Sequence, residues 1–193
     1  MTGAAPRLWL VRHAQPLIGA GICYGRLDVD ADMQATHAAA QALHQALPAH
    51  CQVQHSPLRR CAQLAQALNG LRRSAPSAED ARLREMDFGQ WEGQSWDAIG
   101  ATAIGAWAAD LARHAPGGGE PLAAMLERVD AALQQARAHA AKDGMDRVWI
   151  THAGVARCVQ WLLAHGTQPP RSDQWTMPAP AQGQWLQVAL PPA

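Results

Sequence analysis

Two short segments, RLWLVRH (7–13) and RVWITH (147–152), constrain this fold more than any other part of the chain. Each is a run of mostly apolar residues that ends in a histidine. Neither alternates polar with apolar residues, as a strand with one wet face would. Continuous apolar strands of this kind belong in the middle of a parallel sheet covered on both faces. Parallel neighbours need crossover connections, usually helices. The expectation is an α/β three-layer sandwich, with a mostly parallel central sheet and helices on both faces.

The rest of the chain fits that frame. Strands are expected at 7–11, 51–55, 147–151 and 184–190. Leu58, Cys61, Ala65 and Leu68 form a helical stripe just after Pro57, a residue suited to a first turn. Leu122, Met125, Leu126, Val129 and Leu133 form a second stripe. Val155, Val159, Leu162 and Leu163 form a third, stopped by Gly166. Helices are also expected over 33–47 and 95–113. PGGGEP (116–121) and QPPRSD (168–173) are the clear loop clusters, the first read as a mobile segment whose Glu120 begins a helix. No composition break divides the chain, so it reads as one domain over 1–193.

The totals exclude several function classes. Lysine plus arginine and aspartate plus glutamate are both 16, so no basic excess points to nucleic acid or an anionic membrane surface. No window approaches the roughly 18 apolar residues of a membrane span. The start, MTGAAPRLWLV, lacks a signal peptide's basic region and apolar core. Cys23, Cys51, Cys61 and Cys158 show no CxxC pair and read as free thiols of a reducing compartment. A cytoplasmic protein is expected, with no nucleic-acid or membrane partner. The sequence fixes no oligomeric state.

Chemistry is expected where the two apolar strands end. Ligands of open α/β sheets bind beyond the carboxyl ends of the strands. His13 and His152 both stand there, and adjacent strands would bring them into one crevice. Arg12 precedes His13, and Arg59-Arg60 sits where another loop enters a helix; one of that pair is expected to be a solvated surface charge. Converging guanidinium groups suit a phosphate dianion. Their charge disfavours imidazolium, so His13 should be neutral and able to attack phosphorus.

LVRHAQP, GICYGRLDVD (21–30), SPLRRCAQLAQAL (56–68), LREMDFGQWEG (83–93), PGGGE (116–120) and VWITHAGVAR (148–157) occur in that order. Together they resemble the blocks of the histidine phosphatase, or phosphoglycerate mutase-like, superfamily. The resemblance implies that fold and a phosphomonoester hydrolase working through a phosphohistidine. It implies His13 as nucleophile, Glu85 as general acid and His152 as the second histidine. Arg12 and Arg60 would bind phosphate. Trp91 and Glu92 read as structural.

Within the superfamily, the compact length, the EMDFGQWEGQSW block and the YGRLD loop look most like the α-ribazole-5′-phosphate phosphatases of cobalamin assembly. The partner would be a small-molecule phosphate monoester. Tyr24, Arg26 and the Trp91/Trp96 pair could then face its ring and ribose. A broad-specificity phosphatase, a phosphoglycerate mutase and a catalytically silent phosphate-binding module remain open. The short interval between Glu85 and His152 speaks against a mutase. Ala14 and Ala153 replace glycines of the pattern, a harmless change where φ is negative. No cofactor is implied, and nine histidines without HExxH or His-x-His spacing give no metal site.

Overall fold

The computed structural model describes residues 5–72 and 76–190. Five strands form one sheet: β1 (Arg7–Arg12), β2 (Cys51–His55), β3 (Ala78–Glu79), β4 (Asp146–Thr151) and β5 (Trp185–Ala189). Their spatial order is β3-β2-β4-β1-β5. All pairs are parallel except β1 with β5. Among the described residues six α-helices accompany the sheet: α1 (Met33–Ala46), α2 (Arg59–Leu71), α3 (Trp96–Ile99), α4 (Ala101–Ala109), α5 (Leu122–Asp143) and α6 (Ala153–His165). This is the three-layer α/β sandwich expected from the apolar strands.

The two histidine strands are central neighbours, and their side chains explain why they are apolar throughout. Leu8, Leu10 and Trp149 face one layer, where they pack with Leu126, Val129 and Leu133 of α5 and Val155 and Val159 of α6. Trp9, Val11, Val148 and Ile150 face the other, against Leu43 of α1 and Cys61, Leu64 and Leu68 of α2. Both faces are covered, so neither set of alternate residues can be polar. The parallel register pairs Leu8 with Arg147 and Arg12 with Thr151, which puts His13 and His152 one step beyond the same rung.

Local chemistry sets most boundaries. Asp32 caps α1 by accepting the Ala35 N–H at 2.7 Å. Gly144, left-handed at φ 69°, ends α5. The α5 stripe runs past Leu133 because Ala136 and Ala140 keep small apolar groups on the buried face.

Three expectations need correction. The single helix over 95–113 is α3 and α4, divided at Gly100, whose φ of 82° no right-handed helix accepts. The edge strand β3 was not anticipated, because two residues carry no periodicity. PGGGEP, expected as a mobile segment, is a packed turn: Pro116–Gly118 form a 3-10 turn, and Gly117 and Gly119 lie against the 87–91 backbone. A Cβ on Gly119 would fall 2.1 Å from the Asp87 carbonyl oxygen. Glu120 precedes α5 instead of beginning it, and pairs with Arg128.

Two glycine-to-alanine changes should therefore have opposite signs. Gly105, exposed inside α4 with nothing near its absent Cβ, should gain about 0.5–1 kcal/mol from helix propensity. Gly119→Ala should lose about 1–3 kcal/mol or more through backbone displacement. Urea unfolding of both variants checks this; equal effects would contradict the packing described for the glycine turn.

Candidate active site

His13 is 2% exposed and its orientation is fixed from several sides. Its N–H donates to the Thr151 carbonyl (3.1 Å), and its own carbonyl accepts the Gly183 N–H (2.9 Å). Its Nδ1 lies 2.7 Å from the Ala14 carbonyl oxygen, which can only accept. Nδ1 must therefore carry the proton, and Nε2 is left with its lone pair. Burial first, then the charge of Arg60 and less strongly that of Arg12, lowers the His13 pKa from 6.5 to about 3. Burial outweighs the arginines, which sequence reasoning had taken as the cause.

His152 sits beside it, with ring centroids 5.2 Å apart. Burial, helped by Arg60 and His13, holds its pKa well below the usual histidine value. Its Nε2 lies 2.9 Å from Ser56 Oγ, which also accepts the Leu58 N–H. His152 is 1% exposed and lies behind His13 instead of lining the open cleft. Cys61 of α2 fills the space beneath, its Sγ 3.5 Å from His152 Nε2. Burial pushes that thiol up to about 12, so it is an inert packing group.

Of the two adjacent arginines, Arg59 is the surface charge and pairs with Asp30. Arg60 is fully buried. It donates to the carbonyls of Leu27 (2.8 Å) and Gly25 (2.5 Å), and its guanidinium lies over the Tyr24 ring at 5.5 Å. The loop that supplies those carbonyls is tied by one carboxylate. Glu92 accepts N–H groups from Gly25, Arg26, Leu27 and Phe88 at 2.8–3.0 Å. Glu92 is structural, as read from the sequence. Arg12 and Arg60 each keep a buried Nε without a protein partner. Unpaired buried donors are costly, and an anion that reached those of Arg12 and Arg60 would lower the cost; Arg137 and Arg147, outside the cleft lining, carry the same unpaired Nε.

Glu85 follows the 3-10 turn Ala81–Leu83. Its Oε2 accepts the Gly154 N–H (2.9 Å) and its Oε1 the Met86 N–H (3.1 Å). A Cβ at Gly154 would meet Oε1 at 2.1 Å, so glycine leaves room for this carboxyl group in its present position. At Ala14 and Ala153 no such need exists, since no described non-glycine residue has positive φ.

The structure thus brings Arg12, His13, Tyr24, Arg60 and Glu85 to one cleft of about 220 Å³, with His152 behind it. Arg26 stays outside: it is exposed and bound to Asp87 at 2.9 Å. Trp96 lines the cleft, whereas Trp91 packs behind it. Sequence reasoning missed Trp107, Trp175 and Arg157 on the wall, and Ser56 under His152. Arg157 could have been suspected one helical turn after Ala153, which also lines the cleft; the two tryptophans carried no local signal. Among the described residues no group of three or more His, Cys, Asp or Glu is placed to hold a metal, and no helix is long and apolar enough to cross a membrane.

Comparison with known proteins identifies a family and related folds. Residues 8–188 match the Histidine phosphatase superfamily (branch 1). A glucosyl-3-phosphoglycerate phosphatase of Mycolicibacterium vanbaalenii is 35% identical over 95% of this chain and 84% of its own length. A mycobacterial glucosyl-3-phosphoglycerate phosphatase solved with inorganic phosphate superposes with a TM-score of 0.79 (25% identity, 96% of this chain, 90% of the other). The α-ribazole phosphatase of Shigella flexneri superposes with a TM-score of 0.76 (26% identity, 94% and 89%).

The buried histidines give stability a defined pH dependence. Unfolded, His13 takes up a proton near pH 6.5; folded, it refuses one until about pH 3. Its contribution is therefore complete above pH 6.5 and is lost as pH falls towards 3. Over that interval His13→Gln should flatten the decline in unfolding free energy by about 1.4 kcal/mol per pH unit. Urea titrations at stepped pH measure this, and identical slopes for variant and parent would contradict a neutral His13.

Proposed function

We propose a reaction course and a substrate for this chain, which belongs to the histidine phosphatase superfamily and is a phosphoric monoester hydrolase. The carrying observation is a neutral His13 whose Nε2 is free, beside two arginines with unpaired buried donors. In our reading Nε2 attacks phosphorus in line with the ester oxygen. Arg12 and Arg60 hold the phosphoryl oxygens and offset their charge. His152 supports that phosphoryl site from behind His13.

Glu85 gives its proton to the departing alkoxide as the P–O bond breaks and the N–P bond forms. Such proton transfer contributes about 10²–10⁴-fold. Water then attacks the phosphohistidine and passes a proton to the Glu85 carboxylate. His13 Nε2 leaves, and phosphate and alcohol are the products. Each group returns to its starting state, and no metal takes part.

For the alcohol we propose α-ribazole, which would make this an α-ribazole-5′-phosphate phosphatase of cobalamin assembly. The support is the cleft wall beyond the phosphate floor, where Tyr24, Phe88, Trp96, Trp107 and Trp175 present aromatic surface. A planar base gains about 0.5–1.5 kcal/mol from each well-placed ring. Arg26, bound to Asp87 away from the cleft, drops out of this reading; Tyr24 stays in it. A second reading is glucosyl-3-phosphoglycerate, favoured by the 35% identical relative and by Arg157, whose guanidinium could meet a carboxylate.

The test is kcat/KM for α-ribazole-5′-phosphate, glucosyl-3-phosphoglycerate and p-nitrophenyl phosphate, all with EDTA. We expect α-ribazole-5′-phosphate to lead by about a hundredfold, or about 2.7 kcal/mol of transition-state binding. A lead for glucosyl-3-phosphoglycerate, or equal rates, would overturn the substrate assignment. Loss of turnover in EDTA would overturn the metal-free course.

A further inference from the structure

Glu85 lies in a stretch, residues 84–88, without regular secondary structure. No ladder of backbone hydrogen bonds therefore fixes where its main chain runs. On its outer side is a second cleft of about 390 Å³, lined by Arg84, Glu85, Glu120 and Arg128 among others. The stretch thus has no packed wall behind it there. Buried Met86 and the 117–119 turn hold its far end, which leaves the main chain at 84–85 to be held against the phosphate site.

One side chain from α5 reaches it. Arg128 Nη1 donates to the carbonyls of Arg82 (2.6 Å) and Arg84 (2.8 Å), and Nη2 donates to that of Glu85 (3.3 Å). The same guanidinium is gripped along its other edge by Glu120, with Nε to Oε1 at 2.6 Å and Nη2 to Oε2 at 2.8 Å. Glu120 is anchored in turn, because its N–H donates to the Asp87 carbonyl (2.8 Å). The Arg128 side chain is 20% exposed and that of Glu120 19%, so solvent only partly screens the pair. Lysine could not reproduce this planar fork.

We infer that Arg128 and Glu120 are a positioning pair for Glu85: they set the reach of its carboxyl group to the leaving oxygen without touching substrate. This rests on Glu85 being the general acid, as proposed above. Gly154 and Met86 orient the carboxyl end, and Arg128 holds the main chain that carries it. Displacement of a catalytic group by about 1 Å can cost about a hundredfold in rate. The loss should fall on esters whose leaving group needs a proton.

Benzyl phosphate and p-nitrophenyl phosphate separate the two roles, since both carry one aromatic ring but only the alkoxide needs the acid. The quantity to compare is kcat/KM, which covers steps up to formation of the phosphoenzyme. For Arg128→Met we expect benzyl phosphate to lose about 10- to 100-fold and p-nitrophenyl phosphate to lose several-fold less. Glu85→Gln is measured beside it and should show the same selectivity.

Equal losses on both esters in Arg128→Met, with selective loss in Glu85→Gln, would overturn the positioning role and leave Arg128 a fold support. Unselective loss in Glu85→Gln would overturn the general-acid reading itself. Glu120→Gln, which keeps Arg128 but loosens its grip, carries the same comparison should Arg128→Met not fold.

Discussion

The cleft depends on one pairing, the in-register parallel contact of β1 with β4. Arg12 opposite Thr151 puts His13 and His152 beyond the same rung, and the His13 N–H extends the ladder by one bond to Thr151. A slip of one residue would reverse the side chains along the slipped strand, moving its core residues to the opposite layer. Both layers are full, with Leu10 and Trp149 on one side and Val11 and Ile150 on the other. The hydrophobic core therefore fixes the spacing of the two histidines, although 139 positions separate them in the sequence.

Burial then supplies the chemistry. A fully buried Arg60 and a nearly buried His13 would be an odd pair in a resting core, because the cation makes a second charge beside it costly. The protein meets this by keeping the imidazole neutral. It leaves Nε donors on Arg12 and Arg60 unpaired, and a phosphate dianion would satisfy them. In the proposed reaction these groups would be in place before substrate arrives, which is the condition for electrostatic preorganisation. Tying the 24–27 loop with Glu92 serves the same end, since that loop's carbonyls hold Arg60 in place.

Much of this was legible in the sequence, for physical reasons. β1, β4 and β5 announce themselves by apolar runs and β2 by the alternation of Cys51 and Val53 with glutamines, and strand ends are where α/β sheets place ligands. What escaped depended on distant partners. Arg26 looked available because Asp87, its ion-pair partner, is remote in the chain. Trp107 and Trp175 reach the cleft only through tertiary packing. The glycines of PGGGEP read as flexibility, whereas Gly117 and Gly119 are needed for close backbone approach to residues 87–91. The helix expected over 95–113 failed because its alanines carry no periodicity to show the break at Gly100.

The most direct test of the central claim is to catch the phosphoryl group on the protein. The enzyme would be mixed with p-nitrophenyl phosphate, quenched in alkali within one turnover, and mapped by mass spectrometry of its peptides. The expected result is one phosphoryl group on the peptide bearing His13, stable in alkali and lost in acid, and absent from a His13→Gln variant. Turnover without any such adduct, or an adduct on another residue, would contradict attack by His13.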